Sequence, residues 1–105
     1  MPLEGIETAV TRQHLGGHDA AGRADRPWLA EQRLSLEQAI AAYTIAGAWL
    51  AFGERERGSI EPGKLADLVV LEKNLFEVPP LELHSVRVDY TIFDGRIIFD
   101  RSAEK

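Results

Sequence analysis

Apolar residues recur at helical spacing in two stretches of the first half of the chain. The first stretch predicts a short helix from Pro2 to Arg12, through Leu3, Ile6 and Val10. The second predicts the strongest helix, from Ser35 to Phe52, in which Ser35 and Gln38 form a capping box. Gly53 follows as a C-terminal cap and is expected to adopt a positive φ.

The second half of the chain changes to the period of short strands. Ala66 to Leu71 is a β-branched run that predicts a strand covered on both faces. Val86 to Phe93 alternates, and Asp94-Gly95 predicts a hairpin turn into a partner strand from Arg96 to Asp100. Pro62-Gly63 predicts a further turn, with a positive φ at the glycine. The predicted fold class is α+β, with two or three helices packed against a small sheet of three to four short strands.

A chain of 105 residues has room for one domain at most. We interpret it as a single partial domain in four parts: a helix and loop over residues 1–34, an alanine-rich helix over 35–53, strands over 58–101 and a tail over 102–105. The loop itself, Gln13 to Pro27, is rich in glycine and long for a compact domain.

Composition excludes several classes of function. The chain has no cysteine, so disulfides and thiolate metal sites are ruled out. The net charge is −5 and the basic residues are scattered, which argues against nucleic acid as a partner. No apolar run approaches the roughly 20 residues that span a bilayer, and no leader pattern is visible, so we expect no membrane partner and a cytoplasmic location.

Three sets of polar residues are candidates for chemistry. His14, His18 and Asp19 have a spacing that holds zinc on a helix, but two glycines lie between the histidines, which favours a polar loop. Glu4 and Glu7 are interpreted as complements of the helix dipole, and His84 as a structural residue at the entry to a strand. We therefore assign no catalytic, cofactor-binding or metal-binding residue.

Four segments, in this order, resemble the amidohydrolase superfamily. Gly58 to Phe76, GSIEPGKLADLVVLEKNLF, resembles a signature near its C-terminus. Leu3 to Arg12 resembles the helix after the last barrel strand, Leu34 to Gly53 the alanine-rich helix on the barrel, and Val86 to Arg101 the terminal hairpin. Within the superfamily, these segments most resemble the branch that is similar to the N-substituted formamide deformylases, sometimes called the YtcJ-like branch.

The resemblance implies a (β/α)8 barrel with a small β domain built from both chain ends, of which this chain is the C-terminal part. It also implies a divalent metal, zinc, in the parent enzyme and hydrolysis of a C–N bond other than a peptide bond. The family pattern includes an HxH pair, a bridging Lys or carboxylate, two later histidines and an aspartate that would fall before Met1; no position of this sequence matches any of them.

The expected function is therefore that of a non-catalytic, truncated C-terminal segment, inactive alone, with no cofactor of its own. Its helices would buttress the last unit of the barrel, and its strands would complete the small β domain. Two alternatives remain open: a stand-alone interaction module that uses the Gly/Ala face of the second helix, and a minimal metalloenzyme at His14, His18 and Asp19. Because apolar surfaces that a barrel would cover are present, we expect a homo-oligomer.

Overall fold

The computed structural model describes residues 2–24 and 26–103. The chain divides into two compact units, one built from the residues up to Ile40 together with Lys73–Val86, the other from Ala41–Glu72 together with the residues from Arg87 onward. The described residues form three α-helices and a three-stranded antiparallel sheet, which confirms the α+β class: α1 (Pro2–Thr11), α2 (Leu36–Tyr43), α3 (Ile45–Leu50), β1 (Leu68–Leu71), β2 (Val88–Phe93) and β3 (Arg96–Asp100).

Helix α1 forms the core of the first unit together with a short 3-10 helix, Pro80–Ser85. Ile6 of α1 and Leu83 of the 3-10 helix are both buried, because the apolar stripe of α1 faces that segment. The residues around Pro79-Pro80, for which no regular strand was predicted, supply this second helix, since proline fixes φ near the value of a first helical turn.

The capping box at the start of α2 is confirmed. The Ser35 N–H donates to Gln38 Oε1 at 2.9 Å, and the Gln38 N–H donates to Ser35 Oγ at 3.0 Å. The prediction of one continuous helix to Phe52 is wrong, because Thr44 has φ −123° and ψ −95° and separates α2 from α3. Two β-branched residues meet there, Thr44 and Ile45, and both fit a helix less well than unbranched residues.

The end of α3 also differs from the prediction. Phe52, not Gly53, adopts the left-handed conformation, with φ 59°. The Gly53 N–H donates to the Ala48 carbonyl at 2.7 Å and the Phe52 N–H to the Trp49 carbonyl at 3.1 Å, the two bonds of a Schellman motif. A Cβ at Gly53 would lie 2.8 Å from Nε of Arg57, so a larger residue there would require the flexible Arg57 side chain to move.

The sheet has the order β1-β2-β3, and its hairpin turn is the predicted one. Asp94 and Gly95 both have positive φ, at 50° and 77°, which is the type I′ geometry that suits the twist of two antiparallel strands. In β3 the register passes from Ile97 opposite Ile92 to Phe99 opposite Thr91, so Ile98 is an extra, bulged residue.

The prediction that β1 is covered on both faces is wrong for the described chain. Val69 is 57% exposed and Val70 is 41% exposed. Strand β1 lies at one edge of the sheet, with β2 as its partner on the inner side. An apolar run of this kind normally has a covering layer on each face, and the described residues do not supply both layers.

Candidate functional site

The most unusual polar group of the chain is the carboxylate of Glu7, which is completely buried in the first unit. Its Oε1 accepts the His84 N–H at 2.9 Å and lies 2.6 Å from Nδ1 of the same residue. Its Oε2 accepts the Gly16 N–H at 2.9 Å. Because an ionised carboxylate only accepts hydrogen bonds, the contact of Nδ1 with Oε1 is assigned as a hydrogen bond from His84 to Glu7 for the ionised form of the carboxylate.

Three segments of the first unit meet at this carboxylate. Helix α1 supplies Glu7, and the 3-10 helix Pro80–Ser85 supplies His84. The loop turns its N–H inward at Gly16, which has φ 76°, and a Cβ on the next residue, Gly17, would come within 3.0 Å of Leu81 Cδ1. The two glycines therefore permit both the turn and its close packing.

The buried carboxylate of Glu7 fixes the orientation of the His84 imidazole through its contact with Nδ1. The His84 side chain is 34% exposed, and Nε2 is the ring nitrogen that Glu7 does not contact. Both residues have structural contacts, but the specific roles predicted for them, dipole complement for Glu7 and strand entry for His84, are wrong. Glu7 is buried below α1 and does not complement the dipole of its N-terminus, whereas the exposed Glu4 does lie in the first turn. His84 pairs with Glu7 and does not cap a strand.

The predicted loop residues are engaged locally. Asp19 accepts hydrogen bonds from the N–H groups of Ala21 and Arg23 and from Nε of Arg23, at 2.9 to 3.0 Å. The backbone N–H of Arg23 is the largest cause that lowers the pKa of Asp19 below its usual value. Nδ1 of His18 lies 3.1 Å from the Gly16 carbonyl, whereas His14 lines a separate groove. Within residues 2–24 and 26–103, no three His, Asp or Glu side chains come together as a metal site.

A second polar cluster closes the Pro62-Gly63 turn. Nζ of Lys64 donates to Ser59 Oγ at 2.7 Å and lies 3.0 Å from Oε2 of Glu61, and Ser59 Oγ donates to the same carboxylate. The hydrogen bond from Ser59, and after it Lys64, lowers the pKa of Glu61. Gly63 has φ 92°, as predicted, so this cluster holds the turn that precedes β1.

Two open grooves are further candidate sites among the described residues. One, in the first unit, has a volume of about 840 Å³ and is lined by Arg12, Trp28 and neighbouring loop residues. The other, in the second unit, has a volume of about 440 Å³ and lies between the small residues of α3, Gly47 and Ala48, and strand β1. The second groove is mainly apolar in its lining residues, as expected from the alanine-rich helix and the valines of β1.

Residues 1–99 match the family model of the amidohydrolase family, and the chain belongs to this family. It is 32% identical over 101 residues to YtcJ of Bacillus subtilis (strain 168), a match that covers 96% of this chain and 18% of that protein. It is 31% identical over 101 residues to the N-substituted formamide deformylase of Arthrobacter pascens, covering 96% of this chain and 17% of that enzyme.

A third relative is the imidazolonepropionase of Clostridium tetani (strain Massachusetts / E88), 41% identical over 70 residues, which covers 66% of this chain and 16% of that enzyme. The chain thus spans less than a fifth of the length of these relatives. No solved structure matches the chain significantly. None of the helices described is both long and apolar enough to cross a membrane.

Proposed function

We propose that this chain is a non-catalytic C-terminal segment of a metal-dependent amidohydrolase that hydrolyses C–N bonds other than peptide bonds. The observation that carries the proposal is the number of large apolar side chains left exposed in the second unit. Trp49, Leu50 and Phe52 at the end of α3 are 64%, 73% and 93% exposed, and Val69 of β1 is 57% exposed. The exposure of several large apolar side chains in one small unit suits packing against more protein.

The groove between α3 and β1 supports the same role. It is lined by small residues on the helix and by Leu68 and Val69 on an edge strand, so an additional strand can pair with β1 while its side chains fill the groove. We propose that this strand belongs to the rest of an amidohydrolase polypeptide, and that the chain completes a small β domain in this way.

The carboxylates of the described chain do not fit a catalytic metal. Glu7 accepts from Gly16 and His84, and Asp19 accepts from Arg23, so the oxygens that would bind a cation already have donors. A catalytic zinc has about three protein ligands and an open position for water. We therefore propose that any divalent metal of the parent enzyme is bound by residues outside this chain.

A chimera tests the structural role. In the formamide deformylase of Arthrobacter pascens, the segment that aligns with this chain is replaced by the chain itself. The expected result is a folded enzyme that hydrolyses an N-substituted formamide with a kcat within about tenfold of its parent, because no group at the reacting centre has changed. Deletion of the segment is expected to leave the enzyme insoluble or inactive.

A matched variant separates this proposal from the minimal metalloenzyme. The chimera with His14→Ala and Asp19→Asn should keep the activity of the unmodified chimera, since neither residue contacts a metal in the proposal. The isolated chain, incubated with zinc and dialysed, should retain no stoichiometric metal and hydrolyse no amide. Retention of one zinc per chain that is lost on His14→Ala would overturn the proposal, whether or not the chimera folds.

A further inference from the structure

Arg12 is held in an unusual and well-defined position at the end of α1. It has φ 57°, a left-handed conformation that non-glycine residues adopt at some strain. Its carbonyl accepts the Trp28 N–H at 2.8 Å, and its Nε donates to the Trp28 carbonyl at 2.9 Å. Its guanidinium carbon lies 5.0 Å from the centroid of the Trp28 ring, a cation–π contact. Three contacts with one residue therefore fix both the backbone and the side chain of Arg12.

The fixed guanidinium faces the groove of about 840 Å³, hereafter the Arg12–Trp28 groove. Trp28 lines this groove and is 70% exposed as a residue, so aromatic surface is available to a ligand. Leu15 and Pro27 add apolar surface, and Arg26 adds a second guanidinium. None of the described residues that line the groove is acidic, although the chain as a whole has a net charge of −5.

We propose that the Arg12–Trp28 groove binds a small aromatic carboxylate. The terminal N–H groups of Arg12 match the two oxygens of a carboxylate, and a guanidinium that is already oriented loses little freedom on binding. The aromatic ring of the ligand packs against Trp28, Leu15 and Pro27. This lining of apolar surface beside a few polar groups is typical of small-molecule sites and does not suit inorganic phosphate, which has no apolar part. The proposal does not depend on the function proposed above.

Titration of the folded chain with sodium benzoate, followed by NMR, tests the site. The indole N–H signal of Trp28 reports on the groove, and that of Trp49, which is 64% exposed in the second unit, is an internal control. We expect a saturable shift of the Trp28 signal with a Kd of about 1–10 mM, as for a fragment-sized ligand. Benzamide, which has the same shape without the charge, is expected to bind about tenfold more weakly because it cannot pair with Arg12.

Two variants complete the experiment. Arg12→Lys keeps the charge but removes the planar pair of donors, so benzoate should bind about tenfold more weakly. Arg96→Gln, on β3 of the second unit, is a control and should leave the Kd unchanged. Equal shifts with benzoate and benzamide in the unmodified chain would overturn the proposal without any variant. So would displacement of benzoate by an equal concentration of phosphate, which would indicate a general anion site.

Discussion

Replacement of Glu7 by glutamine tests whether the buried carboxylate holds the first unit together. The substitution keeps the length and shape of the side chain but exchanges one oxygen for an NH2 group. In either orientation of the amide, that NH2 group faces a backbone donor, the N–H of Gly16 or that of His84. One buried donor therefore loses its acceptor, and the pair with the His84 imidazole loses its charge.

The expected loss follows from these contacts. A buried donor without an acceptor costs about 1–3 kcal/mol, and hydrogen bonds to charged groups contribute about 1.5–3 kcal/mol each. Because glutamine can still accept one or two of the three bonds, depending on the orientation of its amide, we expect Glu7→Gln to lower the free energy of unfolding by about 2–4 kcal/mol. Native domains are stable by only about 5–15 kcal/mol, so this is a large effect.

Glu4→Gln is the matched control, because Glu4 lies on the same helix but is exposed. It makes the same chemical change and, because Glu4 lies in the first turn of α1, should lower stability by no more than about 1 kcal/mol. Urea unfolding followed by circular dichroism, at low micromolar concentration, compares the two variants. Hydrogen exchange of the Gly16 and His84 amides adds a local measurement, since both amides donate to Glu7 in the native chain.

His84→Ala and the double variant complete a cycle for the pair. Removal of the imidazole leaves Oε1 of Glu7 with the His84 backbone N–H, so a coupling energy of about 0.5–3 kcal/mol with Glu7→Gln is expected. The reasoning would be refuted if Glu7→Gln and Glu4→Gln lost equal stability and the Gly16 amide stayed equally protected in both.

Three further outcomes are expected. Gly95 has φ 77° and open space around it, so Gly95→Ala should lower the free energy of unfolding by about 1 kcal/mol through backbone strain alone. His14→Ala should not lower it. Thermal melts in which His14→Ala is the more damaging variant would contradict the turn assignment. The chain should self-associate as its concentration rises. Ile97 on β3 is 61% exposed, so Ile97→Lys should weaken the self-association. Sedimentation that shows a persistent 11.7 kDa species for the unmodified chain would contradict this prediction. Ser59→Ala removes the largest cause of the depressed pKa of Glu61, so that pKa should rise; a carboxyl NMR titration with an unchanged midpoint would contradict the cluster. Because the folded pKa is the lower one, the stabilisation from Glu61 is present above its ordinary pKa and is lost as pH falls.

Most of the secondary structure could be predicted from local sequence patterns. Capping residues, hairpin residues and apolar spacing act over three or four neighbours, so α1, the start of α2 and the Asp94-Gly95 turn were predictable. The break at Thr44 was not predictable, because the local preferences there are weak and tertiary packing decides the conformation. Gly58 packs closely on the start of α3, since a Cβ on Gly58 would lie 2.9 Å from Cα of Ile45. The apolar run of β1 predicted a strand that needs cover on both faces, but such a run indicates what a strand needs and not what surrounds it.

The Glu7 network was missed although one signal for it was present. Glu7 lies four residues after Leu3 and three before Val10, so it shares the apolar stripe of α1. A charged residue on such a stripe requires a buried partner. The identity of that partner could not be derived, because His84 is 77 residues away and the two residues meet only through the tertiary fold.

That separation has a consequence for synthesis of the chain. The first unit is discontinuous in sequence, so α1 leaves the ribosome long before Lys73–Val86, the segment that it packs against, has been made. At translation rates of about 5–20 residues per second, the 77 residues from Glu7 to His84 take roughly 4–15 s. During that interval Glu7 lacks its partner His84, and α1 lacks the 3-10 helix Pro80–Ser85 that it packs against. Closing a loop of this length then costs about 4 kcal/mol of chain entropy beyond the constant term. Helix α1 therefore reaches its final packing late, although it is synthesised well before the segment that completes the first unit.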